Sequence, residues 1–110
     1  MRPALAALFL LLPPAALAEA PELLPVTYEC ERGVTLPVIY VNGPDDHAQA
    51  IAWIEGGLRV LQIARSASGA RYREGDAGYE IWGKGDTATL SHGPEGSETV
   101  LLSECRALPD

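Results

Sequence analysis

The stretch Tyr79-Glu80-Ile81-Trp82-Gly83-Lys84-Gly85-Asp86-Thr87-Ala88-Thr89-Leu90 decides the fold. It reads as two short strands, Tyr79 to Gly83 and Thr87 to Ser91, joined by the turn Lys84-Gly85-Asp86. The glycines flanking Lys84 let the backbone reverse sharply and project that side chain. Side chains alternate across a strand, so Tyr79 and Ile81 share one face while Glu80, Trp82 and Lys84 share the other. In the second arm Ala88 and Leu90 oppose Thr87, Thr89 and Ser91 in the same way.

The pattern repeats outward in both directions. Eleven glycines and nine prolines cut the chain into short runs that read as strands. Upstream these are Val26 to Glu31, Thr35 to Val41, His47 to Ile54, Leu58 to Arg65 and Arg71 to Arg73; downstream lies Glu98 to Cys105. Val26, Tyr28 and Cys30 share a face opposite Thr27, Glu29 and Glu31. Ala48 to Ile54 is nearly all apolar, so a short helix is the alternative there. Glu19 to Pro25 reads as a mobile lead-in. Eight short strands at near-regular spacing predict an all-β fold. The expected architecture is an eight-stranded antiparallel β-barrel in a single domain, closure removing the exposed edges.

The chain opens with Met1-Arg2-Pro3, an apolar run to Leu12 and the exit Ala16-Leu17-Ala18. A positive start, an apolar middle and a small-x-small exit predict a cleaved signal peptide over residues 1–18. The barrel domain is then residues 19–110, exported, soluble and periplasmic. No cysteine stands at the expected cleavage point, so lipid attachment at a mature N-terminal cysteine is not expected. In an exported chain the two cysteines, Cys30 and Cys105, allow one intramolecular disulfide. Removing Arg2 leaves seven basic against 15 acidic side chains, net −8. That balance argues against nucleic acid and anionic membrane and favours a basic partner.

Signals for catalysis are weak. His47 and His92 fall beside turns without ligand spacing, so no metal and no cofactor is expected. No G-x-S-x-G elbow is present, and bridged cysteines make poor nucleophiles. Carboxylates are numerous, but nothing singles out a glycosidase-like pair. No catalytic residue is assigned, and the chain is not expected to be an enzyme.

Five of the seven basic residues of the mature chain lie between Leu58 and Leu90: Arg59, Arg65, Arg71, Arg73 and Lys84, the last being the only lysine. A basic hairpin tip on an acidic body suits entry into a negatively charged groove; a solvated turn lysine is the alternative. Two linked pieces, Ser66-Ala67-Ser68-Gly69-Ala70-Arg71-Tyr72 and the hairpin from Tyr79 to Leu90, resemble an S-G-x-x-Y loop and a W-x-K-G-x-x-A-x-L hairpin. With Tyr28-Glu29-Cys30 and the late Cys105, the chain resembles the c-type lysozyme inhibitor family, the membrane-bound and periplasmic inhibitors of Gram-negative bacteria. Lacking the lipid-attachment cysteine, it resembles the periplasmic type.

The resemblance implies an eight-stranded barrel whose two loops enter the lysozyme cleft. Its motif serine falls on Ser68, with Ser66 two residues away as the alternative, and its motif lysine on Lys84. Gly69, Gly85 and Tyr72 complete the expected lysozyme-binding set. Tyr72 and Trp82 are either interface anchors or barrel packing, and Arg71 and Arg73 either meet the partner or pair with the barrel's acids. The partner expected is c-type lysozyme, a basic protein; monomer and dimer both stay open. The competing readings are a small-molecule carrier, since such barrels can enclose one ligand, and a cell-wall enzyme.

Overall fold

The computed structural model describes residues 20–44 and 47–109; the expected leader, with its cleavage site before Glu19, lies outside the described residues. Eight strands follow in order: β1 Glu22–Glu29, β2 Thr35–Asn42, β3 Gln49–Ile54, β4 Gly57–Ala64, β5 Ala70–Arg73, β6 Tyr79–Lys84, β7 Thr87–His92 and β8 Thr99–Ala107. Each pairs antiparallel with its neighbours in sequence, and β8 returns to β1 to close the barrel. The all-β class and eight-stranded antiparallel topology are those expected.

Alternation fills the interior. Tyr28, Leu36, Val38, Tyr40, Leu61, Tyr72, Ile81 and Leu90 all point inward and are buried. On β3 the inward positions are Ala50, Ala52 and Ile54, a period of two that makes this apolar run a strand and not a helix. An eight-stranded barrel is just wide enough for side chains to fill, and here the rings of Tyr40 and Tyr72 lie 5.3 Å apart.

Closure is thinnest where the chain ends meet. β1 and β8 share only two register pairs, Tyr28↔Ala107 and Glu29↔Arg106. The Cys30–Cys105 disulfide lies immediately beside that seam and closes a separation of 75 residues. Chain-entropy arguments give such a closure roughly 4.5 kcal/mol at most, so the bond supplies what the short ladder does not.

One expectation fails. Glu22 to Pro25 is not a lead-in but the first half of β1, paired with β2 from Glu22↔Asn42 to Pro25↔Ile39. Pro25, the last residue of that expected lead-in, sits where β1 has outrun β8. A proline there removes no donor from a second ladder, which is the setting in which strands tolerate it.

Candidate functional site

Strand register brings the two motif loops together. β5 pairs with β6 from Ala70↔Gly83 to Arg73↔Glu80, so residues 65–69, just before β5, lie beside the end of the β6–β7 hairpin. Gly69 has φ +67°, a conformation that favours glycine. A Cβ at this position would sit in hard contact with the Gly83 carbonyl oxygen and 2.7 Å from Lys84 Cγ. Only glycine allows this approach of loop to hairpin. Gly85, φ +63°, forms the tip and has nothing within 4 Å of an added Cβ. The Thr87 hydroxyl donates to the Lys84 carbonyl at 2.9 Å and braces the turn.

Trp82 ties the loops to each other. Its indole N–H donates to the Ser68 carbonyl at 2.9 Å. Ser66 folds back on the same residue: its hydroxyl donates to the Ser68 carbonyl, and the Ser68 N–H donates to Ser66 Oγ at 3.3 Å. Ser66 is thus occupied in shaping the loop. The Ser68 side chain is exposed, and its hydroxyl has no hydrogen-bond partner among the described residues.

The cations divide into two groups. Arg73 is buried and meets Glu80 at 2.6 Å, Glu98 at 2.9 Å and the carbonyl oxygens of Asp76 and Gly93. Arg71 pairs with Glu95 and lies 3.7 Å from Glu80; the hydrogen bond it donates to the Glu95 carboxylate raises its already high pKa. Arg59 pairs with Glu74 at 3.0 Å. Lys84 and Arg65 have no carboxylate within ion-pair distance among the described residues. The Lys84 ammonium instead lies 5.0 Å from the Trp82 ring centroid, which the Arg71 guanidinium approaches to 5.7 Å. Arg71 and Arg73 therefore serve the barrel's acids, while Lys84 is exposed and makes no ion pair among the described residues.

Tyr72 does not lie at the loop tips. It is 5% exposed, inside the barrel, and lines an open cleft of about 340 Å³ beneath the loops with Tyr28, Tyr40, Asn42, Gly69 and Gly83. Tyr28 and Tyr40 join hydroxyls there at 2.8 Å, and burial pushes the Tyr40 phenol far above its ordinary pKa.

Sequence reasoning missed the cross-strand pair Arg71↔Trp82 and the buried carboxylate of Glu80. The signal was present: Arg71 and Arg73 flank inward Tyr72, and Glu80 and Trp82 flank inward Ile81, so both pairs share one outer wall. His92 packs edge-on against the Tyr79 ring at 4.8 Å. Among the described residues no group of three or more His, Cys, Asp or Glu could hold a metal, and no helix is long and apolar enough to cross a membrane.

Known proteins share this architecture. A Cupriavidus necator membrane-bound lysozyme inhibitor of C-type lysozyme is 39% identical over 90 residues, covering 81% of this chain and 70% of its own. A protein of the same description from Pseudomonas aeruginosa is 36% identical over 81 residues, covering 74% of this chain; the chain spans 62% of that protein's length. The periplasmic lysozyme inhibitor of C-type lysozyme from Salmonella typhimurium superposes with TM-score 0.68 at 29% identity, over 80% of this chain and all of that one. Pseudomonas aeruginosa MliC, solved in complex with hen egg white lysozyme, superposes with TM-score 0.65 at 29% identity, over 84% and 89% of the two chains. The family described as "Membrane-bound lysozyme-inhibitor of c-type lysozyme" matches residues 28–98, and the chain belongs to that family.

Proposed function

We propose that this protein is a non-enzymatic inhibitor of c-type lysozyme that acts as a soluble protein of the periplasm. In this reading it presents the Ser68 loop and the Lys84 hairpin to the catalytic cleft. The observation that carries the reading is Lys84: an exposed ammonium on a tip tied through Trp82 to Ser68, neither the ammonium nor the Ser68 hydroxyl having a carboxylate or hydrogen-bond partner among the described residues. The MliC complex with hen egg white lysozyme supports the choice of partner.

The chemistry follows from how lysozyme works. Its cleft holds one carboxylic acid that must stay protonated to donate to the leaving oxygen and one carboxylate that must stay ionised. An ammonium inserted between them pairs with the ionised group. It also favours loss of the proton from the other, which removes the general acid. The Ser68 hydroxyl can donate to a carboxylate while accepting from a second group. Trp82, through its indole N–H and its ring, holds the serine loop and the ammonium in one arrangement before the partner arrives, which lowers the ordering cost of binding. Gly69 and Gly85 permit that backbone path, and Tyr72 supports it from within. A net charge of −8 speeds encounter with a basic enzyme.

The carrier reading has less to stand on, because Leu36, Leu61, Ile81, Leu90 and Cys105 fill the interior. The test is to titrate the oxidised protein into hen egg white lysozyme and follow lysis of bacterial cell walls. Inhibition saturating near one-to-one is expected. Undiminished lysis at micromolar excess, with the disulfide intact, contradicts the proposal.

A further inference from the structure

The hairpin that carries Lys84 is held from both sides, and the serine loop supplies only one of the two holds. On the other side, β8 places Arg106 opposite Thr87 and Cys105 opposite Ala88. The Ala107 N–H donates to the Asp86 carbonyl oxygen at 2.7 Å and so grips the turn itself. The Arg106 and Asp86 side chains approach only to 3.9 Å and both are exposed, so the backbone bond carries this contact. The segment that makes it is weakly anchored by its own ladder. Both register shifts between β7 and β8 fall between Ala88 and Ser91, and Glu104, just before Cys105, stands at φ +52°. Residues 105–107 are thus set apart from the regular part of β8. Toward β1 they have two register pairs, and the Leu108 N–H adds a bond to the Thr27 carbonyl oxygen at 2.8 Å. A chain end held by so few bonds frays readily. The Cys30–Cys105 disulfide, with Cys105 fully buried, fixes this segment at its base.

We propose that the disulfide is a positioning clamp for the inhibitory hairpin. Through Cys105, Arg106 and Ala107 it holds the Lys84-Gly85-Asp86 turn in the arrangement that meets lysozyme. This role rests on the inhibitor reading above and adds to it a set of residues outside the two motif loops. With the bond broken, the ladders from β1 through β7 still stand, but the turn loses its hold on the β8 side. It must then be ordered as the partner binds, and ordering even one residue at that moment weakens affinity roughly tenfold. The serine loop keeps its own tie through Trp82, so the loss falls on the Lys84 tip.

The test pairs calorimetry against hen egg white lysozyme with amide hydrogen exchange, at a temperature where far-UV circular dichroism shows each protein folded. One variant combines Cys30→Ala with Cys105→Ala; the other, Ala107→Pro, removes the N–H that grips Asp86 and leaves the disulfide intact. Each is expected to bind roughly tenfold or more weakly than the parent. Amides of residues 84–87 should exchange faster, while those of the paired Ile81 and Leu90 keep their protection. Ile54→Val trims the core at the opposite end of the barrel, and is expected to lower stability yet bind like the parent. Should the cysteine variant not fold, Ala107→Pro decides alone. Affinity within about twofold of the parent in the folded clamp variants overturns the proposal. So does equal weakening by Ile54→Val, which assigns the loss to stability. An oxidised parent that does not bind at all overturns the inhibitor reading itself, and the clamp with it.

Discussion

Replacing Gly69 by alanine separates steric need from backbone preference, because Gly85 provides the matched control. Both residues lie in the left-handed region, at φ +67° and +63°. An alanine there costs about 1–2 kcal/mol in backbone strain alone. At Gly85 that is the whole cost, since an added methyl meets nothing within 4 Å. At Gly69 the methyl collides with the Gly83 carbonyl oxygen, a backbone atom that cannot rotate away, and with Lys84 Cγ at 2.7 Å. Overpacking of this kind adds about 1–3 kcal/mol, bringing the total to about 2–5 kcal/mol. In a domain this size each kcal/mol moves Tm by about 4–8 °C. Thermal unfolding is therefore expected to drop by about 10 °C or more for Gly69→Ala and by roughly half that for Gly85→Ala. Relief of the clash also pushes the serine loop off the hairpin and strains the bond from Trp82 to the Ser68 carbonyl. Inhibition by Gly69→Ala should then weaken at least about tenfold, or 1.4 kcal/mol, beyond the effect of unfolding. Equal Tm losses for the two variants, or full inhibition by folded Gly69→Ala, would refute the reasoning.

Two further outcomes follow from the acid–base pattern of the barrel. Arg73→Met leaves Glu80 buried without its 2.6 Å partner, so unfolding free energy should fall by about 3–5 kcal/mol in denaturant titration; a loss under 1 kcal/mol contradicts the role given to the pair. The Glu31 carboxylate is held below its ordinary pKa chiefly by the Ser103 N–H, then by the Ser103 hydroxyl, each at 3.0 Å; Glu98 is lowered mainly by its own backbone N–H and that of Gly96. Groups depressed in the folded state contribute stability above the unfolded pKa, near 4.3, and lose it as pH falls through the folded value. Tm should accordingly stay level from pH 7 to about 5 and decline below about 4, with Glu31→Gln flattening the decline; an unchanged acid limb in that variant counts against the assignment.

Most of the strand plan was legible because period-two alternation and turn residues are local. Tyr79, Ile81, Ala88 and Leu90 each face inward as their spacing required. Two things were not local. The first half of β1 pairs with β2 alone, and that depends on where β8 ends at the far end of the chain, so Glu22 to Pro25 carries no local sign of a strand. The division of cations likewise depends on which acids the register delivers. Lys84 and Arg71 look alike in sequence, but Arg71 stands on the wall beside Glu80 and within reach of Glu95 in the turn after β7, while Lys84 lies at the hairpin tip. The different settings of Ser66 and Ser68 are hidden in the sequence for the same reason. It takes the turn in three dimensions to show that Ser66 closes on the Ser68 backbone, leaving the Ser68 side chain outward.

The most direct test of the central claim is the affinity of Lys84→Ala for hen egg white lysozyme, measured by calorimetry beside the parent. With the ammonium placed against the catalytic carboxylates as proposed, its loss should weaken binding by about 2–5 kcal/mol, roughly 30- to 4,000-fold. Thermal stability should barely change, because Lys84 makes no ion pair among the described residues and Gly85 beside it is open to solvent. A dissociation constant within about twofold of the parent would contradict the account and place the inhibitory contact elsewhere on the barrel.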